Sequence, residues 1–290
     1  MSSADPQTQQ PIEPADRWLV AIDIDGTLVH DDGYLSPRVA QRVRETVEAG
    51  HVVVVATGRS AANAIPVIKD IGLAAGNVVC SNGAVTVEID PADPQGYRPI
   101  EVITFDPKDV LSRLIDSLPS AHFAVEDIDG TYRFHRPFPT YALGNQNVET
   151  PLHELMEHPV SRVVVLSPEH EVDEFLGLIT QIGLHSVSYA IGYTAWLDIA
   201  PEGVTKASGL DKLRRQHGVA ASNVIVMGDG RNDIPMFEWA RSSGGLSFAM
   251  GQGPEEVLAA ADEITASVED DGVAQVLEAL EGIRFARSNG

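Results

Sequence analysis

Residues 18–29, WLVAIDIDGTLV, constrain the fold most: an unbroken apolar run ends abruptly in two carboxylates, a glycine and a threonine. The apolar part, residues 18–22, is short and apolar at odd and even positions alike, as suits a strand buried on both faces within a parallel sheet. Gly26 then turns the chain. Because side chains alternate along a strand, Asp23 and Asp25 leave its C-terminal end on one face, about 7 Å apart by strand rise. Two acids in one small space repel unless a cation lies between them or one holds a proton, and either arrangement suits an active site. The same pentapeptide also fits a solvated Asp-Gly turn, so the choice rests on what stands at the other strand ends.

The chain around this stretch repeats its pattern. Ser36 and Pro37 open a helix whose one-sided apolar pattern ends at Gly50. Residues 52–55, VVVV, form a second doubly buried strand, closed by Thr57, Gly58 and Arg59 before Ser60 caps another helix. NVVC at 77–80 supplies a third strand, and Asn82-Gly83 reads as a hairpin turn. From residue 86 to 198, alternating strands (HFAVE, TYRFH, SRVVVLS, HSVSYAI, TAWLDIA) mix with helical stretches such as PEHEVDEFLGLITQIG, the mark of an α+β insertion. The βα rhythm then resumes with helix TKASGLDKLRRQHG, strand NVIVMGDG, helix NDIPMFEWAR, strand LSFAM, helix GPEEVLAAAD, short strand EIT and a closing helix, DGVAQVLEAL.

We therefore expect an α/β fold: a doubly wound, Rossmann-like parallel sheet core of residues 17–85 and 199–285 with an inserted α+β cap, residues 86–198, behind a disordered tail of residues 1–16. The handedness and switch-point rules bring the strand ends that carry Asp23, Thr57 and Asp229 to one crevice.

A net charge of −22 opposes nucleic acid or an anionic membrane as partner, since both require a basic face. The start of the chain is polar and proline-rich without an apolar signal core, and no aliphatic run is long enough to span a bilayer, so a cytoplasmic location is expected. Cys80, the single cysteine, has no intramolecular partner and sits in an apolar context that marks a small buried side chain. The nine histidines lack paired metal-ligand spacing, and His217 reads as a surface or packing residue.

A second acidic loop, GDGRND, ends the strand NVIVMGDG and carries Asp229, Asn232 and Asp233. Taken alone it also reads as a turn before a helix cap, just as Thr57 reads as a helix-entry hydroxyl and Lys206 as a surface cation. Together with Asp23 and Asp25, however, these residues stand in order at strand ends or at the adjacent helix start. Such an all-oxygen set suits a hard divalent cation, Mg²⁺ rather than zinc or copper.

The ordered set DxDGT, T, K, GDxxND resembles the haloacid dehalogenase superfamily of aspartyl phosphotransferases. SNGA at 81–84, LDIAPEGVTK at 197–206 and GDGRNDIPM at 228–236 resemble its Cof-like branch, whose large cap lies between the threonine and lysine motifs. The resemblance implies an Mg²⁺-dependent phosphatase that hydrolyses a small-molecule phosphate monoester, a sugar phosphate or a phosphorylated cofactor, through an aspartyl-phosphate. It makes Asp23 the nucleophile and Asp25 the general acid and base. It assigns the metal to Asp23, the backbone carbonyl of Asp25, Asp229 and Asp233, and phosphoryl binding to Thr57, Gly58 and Lys206. Asn232 is implied to support Lys206 or the substrate, and Arg59, Asn82 and Gly83 are the candidate substrate contacts. Family members often carry MGNA after the fifth strand, whereas Met250, Gly251, Gln252 and Gly253 stand here, which puts a role for Gln252 in doubt.

Phosphomutases share this chemistry. A receiver domain of signalling relays has nearly the same parts, but its acceptor follows a middle strand and it has no inserted cap. In the cap, Arg133, Arg136 and Arg162 are expected to be surface or structural residues, and Arg231 in the core to point to solvent. The pentapeptide DIDGT also recurs at 127–131, between two alternating segments, where it reads as the tip of an antiparallel hairpin, distinct from the catalytic copy.

Overall fold

The computed structural model describes residues 16–139, 142–184, 187–191 and 195–288; except for Asp16, the expected tail lies outside these. In chain order the first part runs β1 (Leu19–Ile22), α1 (Pro37–Glu48), β2 (Val52–Ala56), α2 (Ala61–Ile71), β3 (Asn77–Cys80), β4 (Val85–Ile89) and β5 (Tyr97–Val102). The middle runs α3 (Lys108–Ser117), β6 (His122–Glu126), β7 (Tyr132–Phe134), β8 (Asn147–Glu149), β9 (Arg162–Leu166), α4 (Val172–Ile182), β10 (Val187–Ile191) and β11 (Trp196–Pro201). The last part runs α5 (Lys206–Gln216), β12 (Val224–Gly228), α6 (Ile234–Ser242), β13 (Leu246–Ala249), α7 (Glu255–Ala260), β14 (Glu263–Ile264) and α8 (Gly272–Ser288). His185, Ser186 and Thr194, expected within strands, lie outside the described residues.

The larger sheet has the order β14-β13-β12-β1-β2-β3-β4-β5 and is parallel from β14 to β3. The chain steps outward from β1 through β2 to β3, then returns on the other side of β1 as β12. Strand order therefore reverses at β1, which opens a crevice beyond its C-terminal end. Every side chain of β1 is buried, and its alternation divides two cores. Val20 and Ile22 pack with Val39, Val43, Ile68 and Leu277 of α1, α2 and α8. Leu19 and Ala21 pack with Leu210, Phe237 and Val257 of α5, α6 and α7.

The smaller sheet has the order β10-β11-β9-β6-β7-β8. One face carries Phe123, Val125, Val163, Val165, Leu197 and Ile199, covered by Leu111 and Leu114 of α3 and Phe175 and Ile179 of α4. The opposite face of β6, β9 and β11 carries Ala124, Val164 and Trp196, and by the same alternation Glu126, Arg162 and Asp198.

The change of sheet differs from the boundaries expected of the sequence. Residues 86–102, expected in the insertion, continue the larger sheet, β4 pairing antiparallel with β3 and β5 with β4. Their alternation reflects half-exposed antiparallel strands, and Pro99 is tolerated because β5 is the edge. At the other end β11 stays in the smaller sheet as far as Pro201, which pairs with Val187, so residues 199–201 do not begin the resumed core.

Because Phe175 is wholly buried in the core under the smaller sheet, Phe175→Ala should cost about 3–5 kcal/mol by denaturant unfolding. Faster amide exchange should concentrate between residues 105 and 201; equal loss across β1, β2 and β12 would show that the two sheets do not have separate cores.

Candidate active site

The parity that divides the cores also aims the first carboxylate. Asp23 continues the odd-numbered face of β1, toward the α5 layer, and its amide is held by the Met227 carbonyl at 3.0 Å. Waiting on that side is Lys206, the first residue of α5, whose N-cap Thr205 forms a capping box with Ser208. The Lys206 ammonium, 1% exposed as a residue, lies 2.9 Å from Asp23 Oδ1 and 2.7 Å from Asp233 Oδ1. Asp233 Oδ2 accepts the backbone amides of Asp229 and Gly230 at 3.0 and 2.9 Å, so both its oxygens are engaged. Asp229 Oδ1 accepts the buried Thr27 hydroxyl at 3.2 Å.

Two glycines allow this crowding. A Cβ at Gly26, where φ is +68°, would stand 2.1 Å from Asp229 Oδ2, and one at Gly228 would stand 2.3 Å from the Asp233 carboxyl carbon. One oxygen from each of Asp23, Asp229 and Asp233 lies within 4.8 Å of the others, and all three residues are buried. Burial, opposed by Lys206 but reinforced by Asp233, Asp229 and Asp25, holds the Asp23 carboxyl well above the usual carboxylate range. Burial works against the Lys206 ammonium as well, yet Asp23 and Asp233 hold it above the ordinary lysine value.

Asp25 departs from the cluster. Just before the turn at Gly26, its side chain is 61% exposed and paired with Arg59, whose Nε is 3.0 Å from Oδ2. Gln252 proves to hold this turn: its Nε2 donates to the Gly26 carbonyl at 2.5 Å while its Oε1 accepts the Val268 amide at 3.0 Å. The departure from MGNA hid that role; the signal for it was position, one turn past β13 and beside the DxDGT loop.

Thr57 is buried at the end of β2, its hydroxyl accepting the Arg59 amide at 3.0 Å. The carboxamides of Asn82 and Asn232 stand against Gly58 and bond each other at 3.0 Å. Asn232 therefore supports Asn82, and it is Asp233 that supports Lys206. The Asn82-Gly83 turn does close the β3–β4 hairpin, with Ser81 and Asn82 at φ 48° and 52°. Gly83 has a packing role: a Cβ there would meet the Thr205 carbonyl oxygen at 2.1 Å. Asn82 Nδ2 also reaches Asp198 Oδ2 of β11 at 3.2 Å, and Ser81 Oγ donates to Glu126 of β6 at 2.7 Å, so the two sheets meet through polar contacts beside Thr57.

Between the sheets lies a cleft of about 620 Å³, reaching from Asp25, Gly58 and Arg59 to Arg162, Trp196 and Asp198. Arg133 and Arg136 are structural, on the Asp127 carboxylate and on the Pro119 and Ala121 carbonyls. Arg162 is structural too, buried and bound to Asp198 and the Tyr132 hydroxyl, and it also lines the cleft. Arg231, expected to point to solvent, is partly exposed and pairs with the exposed Glu256 at 2.6 Å. His217 meets Asn77 at 3.0 Å, and Cys80 is buried.

The donor set fits a hard cation. Three buried carboxylates face one ammonium, no nitrogen or sulfur ligand joins them among the described residues, and Asp23 Oδ1 accepts no well-aligned hydrogen bond. A cation there would reverse the effect that raises Asp23.

Residues 20–277 match the family model of the haloacid dehalogenase-like hydrolases. The chain belongs to this family. Its activity class is that of a hydrolase. It is 27% identical over 270 residues to the 5-amino-6-(5-phospho-D-ribitylamino)uracil phosphatase YitU of Bacillus subtilis, a match covering 90% of this chain and 96% of that one. Among solved structures, a subclass IIB sugar phosphatase of the superfamily superposes with a TM-score of 0.74 at 20% identity, covering 90% of this chain and 98% of the other. A haloacid dehalogenase-like hydrolase from B. subtilis gives 0.73 at 21%, with the same coverage. These two likenesses are of fold. Among the described residues no helix is long and apolar enough to cross a membrane.

Lys206 is the one ammonium inside the hydrolase's acidic cluster, so Lys206→Met should cost about 3–5 kcal/mol of stability without added metal. A denaturant midpoint equal to the parent's would show that the carboxylates do not depend on it.

Proposed function

We propose that the chain is an Mg²⁺-dependent phosphatase that hydrolyses a small-molecule phosphate monoester, a sugar phosphate or phosphorylated cofactor, through an aspartyl-phosphate on Asp23. The observation that carries this reading is Asp23, buried at the end of β1 with its Oδ1 2.9 Å from the Lys206 ammonium. YitU, by its name a 5-amino-6-(5-phospho-D-ribitylamino)uracil phosphatase, belongs to the same class of reaction.

In this reading an Asp23 oxygen attacks phosphorus, the ester P–O bond breaks, and the leaving oxygen takes a proton from Asp25. Asp25 is suited to this by place: it stands at the mouth of the cleft, where a leaving group would lie, and Arg59 keeps it there. Water then attacks the aspartyl-phosphate, yields its proton to Asp25 and releases phosphate. Lys206 and the Thr57 hydroxyl act as donors to the phosphoryl oxygens, where charge gathers during transfer. Asn82 and Asn232 fix the Gly58 side of the same pocket.

Mg²⁺, held by Asp23, Asp229 and the backbone carbonyl of Asp25, would supply positive charge against the repulsion between nucleophile and phosphate. Asp233, with both oxygens already accepting hydrogen bonds, orients Lys206 and the Asp229 loop. The region of residues 105–201 serves as the cap that closes the cleft over the leaving group.

Phosphate release from a panel of monophosphates should stop in excess chelator and return with Mg²⁺; full turnover in chelator would sink the metal's role. Asp23→Asn should abolish both turnover and the acid-stable phosphoenzyme. The hairpin copy of DIDGT supplies the control: replacing Asp127 and Asp129 by Asn together should leave turnover within roughly tenfold of the parent. A folded double variant unable to form phosphoenzyme would move the chemistry to the wrong copy.

A further inference from the structure

The cap side of the cleft holds its charges in a closed pair. Among the described residues that line it, Arg162 and Asp198 are the charged groups contributed by the smaller sheet. Arg162 Nε donates to Asp198 Oδ1 at 2.9 Å, and its Nη1 donates to the buried Tyr132 hydroxyl at 3.2 Å. The same Asp198 oxygen accepts the Trp196 indole N–H at 2.9 Å, and Oδ2 accepts Asn82 at 3.2 Å. Asp198 thus binds the guanidinium, the indole and the core carboxamide at once. Trp196 is fixed further by the edge of Phe138, with ring centroids 5.6 Å apart.

What this wall offers a leaving group is an aromatic face, the neutral Asn145 and a guanidinium whose charge is already matched. The space beyond Asp25, about 620 Å³, suits a small molecule. A second phosphate or a carboxylate placed there would lose its hydration without gaining an uncompensated cation, and it would face Asp198. An uncharged polyol, sugar or heterocycle would lose far less.

Resting on the phosphatase reading, we propose that Asp198 is a specificity-determining residue: by neutralising Arg162 it restricts the cleft to monophosphates with uncharged leaving groups and excludes those with a second anionic group. The pair therefore acts by exclusion, and its removal should widen the range of substrates.

The test uses the full chain with Mg²⁺ and compares kcat/KM for ribitol 5-phosphate and a hexose 6-phosphate with that for a hexose 1,6-bisphosphate and a 6-phosphoaldonate. p-Nitrophenyl phosphate serves as the baseline. The parent should favour the uncharged leaving groups by about a hundredfold. Asp198→Asn keeps an oxygen for Arg162 and Trp196 but removes the negative charge, so it should shrink that preference by roughly tenfold or more through a gain on the anionic substrates. Arg162→Gln leaves Asp198 unmatched and should widen the preference, and the double variant should return it to the parental value. This pattern keeps the test decisive if one single variant does not fold, since loss of packing would lower all substrates together. Equal rates on both substrate sets by the parent, or an unchanged preference in the folded variants, would overturn the assignment while p-nitrophenyl phosphate is still hydrolysed. Failure to hydrolyse p-nitrophenyl phosphate or any of the four substrates would overturn the phosphatase reading and the selectivity with it.

Discussion

The interaction on which the rest of the site depends is a single buried ammonium among three buried carboxylates. Lys206 opens α5, a poor place for a cation, because the N-terminal end of a helix carries partial positive charge. It is held there because Asp23 and Asp233 lie within 3 Å of its nitrogen, at 2.9 and 2.7 Å. The balance is still negative by two charges once Asp229 is counted, and burial makes that deficit expensive. A site with excess negative charge and only oxygen donors is one that a divalent cation completes. The same arrangement leaves room for the charge of a phosphoryl group only when such a cation is present, so metal and substrate would act on one electrostatic balance.

Building that cluster takes three chain segments, the end of β1, the start of α5 and the loop after β12, and the sheet brings them together. Reversal of strand order at β1 places Asp23 and the Asp229 loop side by side, with β1 and β12 in register from Leu19 and Val224 to Ile22 and Met227. The distances then close because glycines stand where side chains would collide. Gly26 and Gly228 admit the Asp229 and Asp233 carboxylates, and Gly83 admits the Thr205 backbone, which brings the β3–β4 turn against the start of α5. The turn in its place sets Asn82 between Asn232 and Asp198, a hydrogen-bonded line from the loop after β12 to the smaller sheet.

Much of this was legible because the constraints are local. A doubly buried strand has no polar face, so β1, β2 and β12 stood out as unbroken apolar runs, and the residues that end them followed. The edges of the larger sheet were less legible. β4 and β5 are antiparallel with partly exposed faces, so their alternation resembled that of the inserted strands. Side-chain pairing was harder still. Arg162 and Asp198 lie 36 residues apart, and neither SRVVVLS nor TAWLDIA says that the two strands are neighbours in one sheet. Gln252 escaped for a different reason: its partner is a backbone carbonyl, and a carbonyl leaves no mark in a sequence.

The two copies of DIDGT separate what a pentapeptide specifies from what its setting adds. Both make a tight turn through a glycine at positive φ, +68° at Gly26 and +83° at Gly130. In the first copy the turn follows a strand buried on both faces, so the leading aspartate enters a layer already occupied by Lys206, and Thr27 points inward to Asp229 at 3.2 Å. In the second, β6 and β7 pair on either side as a hairpin. Its leading aspartate is bound by Arg133 through two contacts of 2.8 Å, its second accepts the Thr131 amide at 3.0 Å, and Ile128 is exposed. Arginine is suited to hold a carboxylate in both its oxygens, which removes that carboxylate from use as a nucleophile. Lysine, a compact charge, touches Asp23 at one oxygen only and leaves the other free of that ammonium. The fold thus brings a different cation to the leading aspartate of each copy, a lysine to Asp23 and an arginine to Asp127.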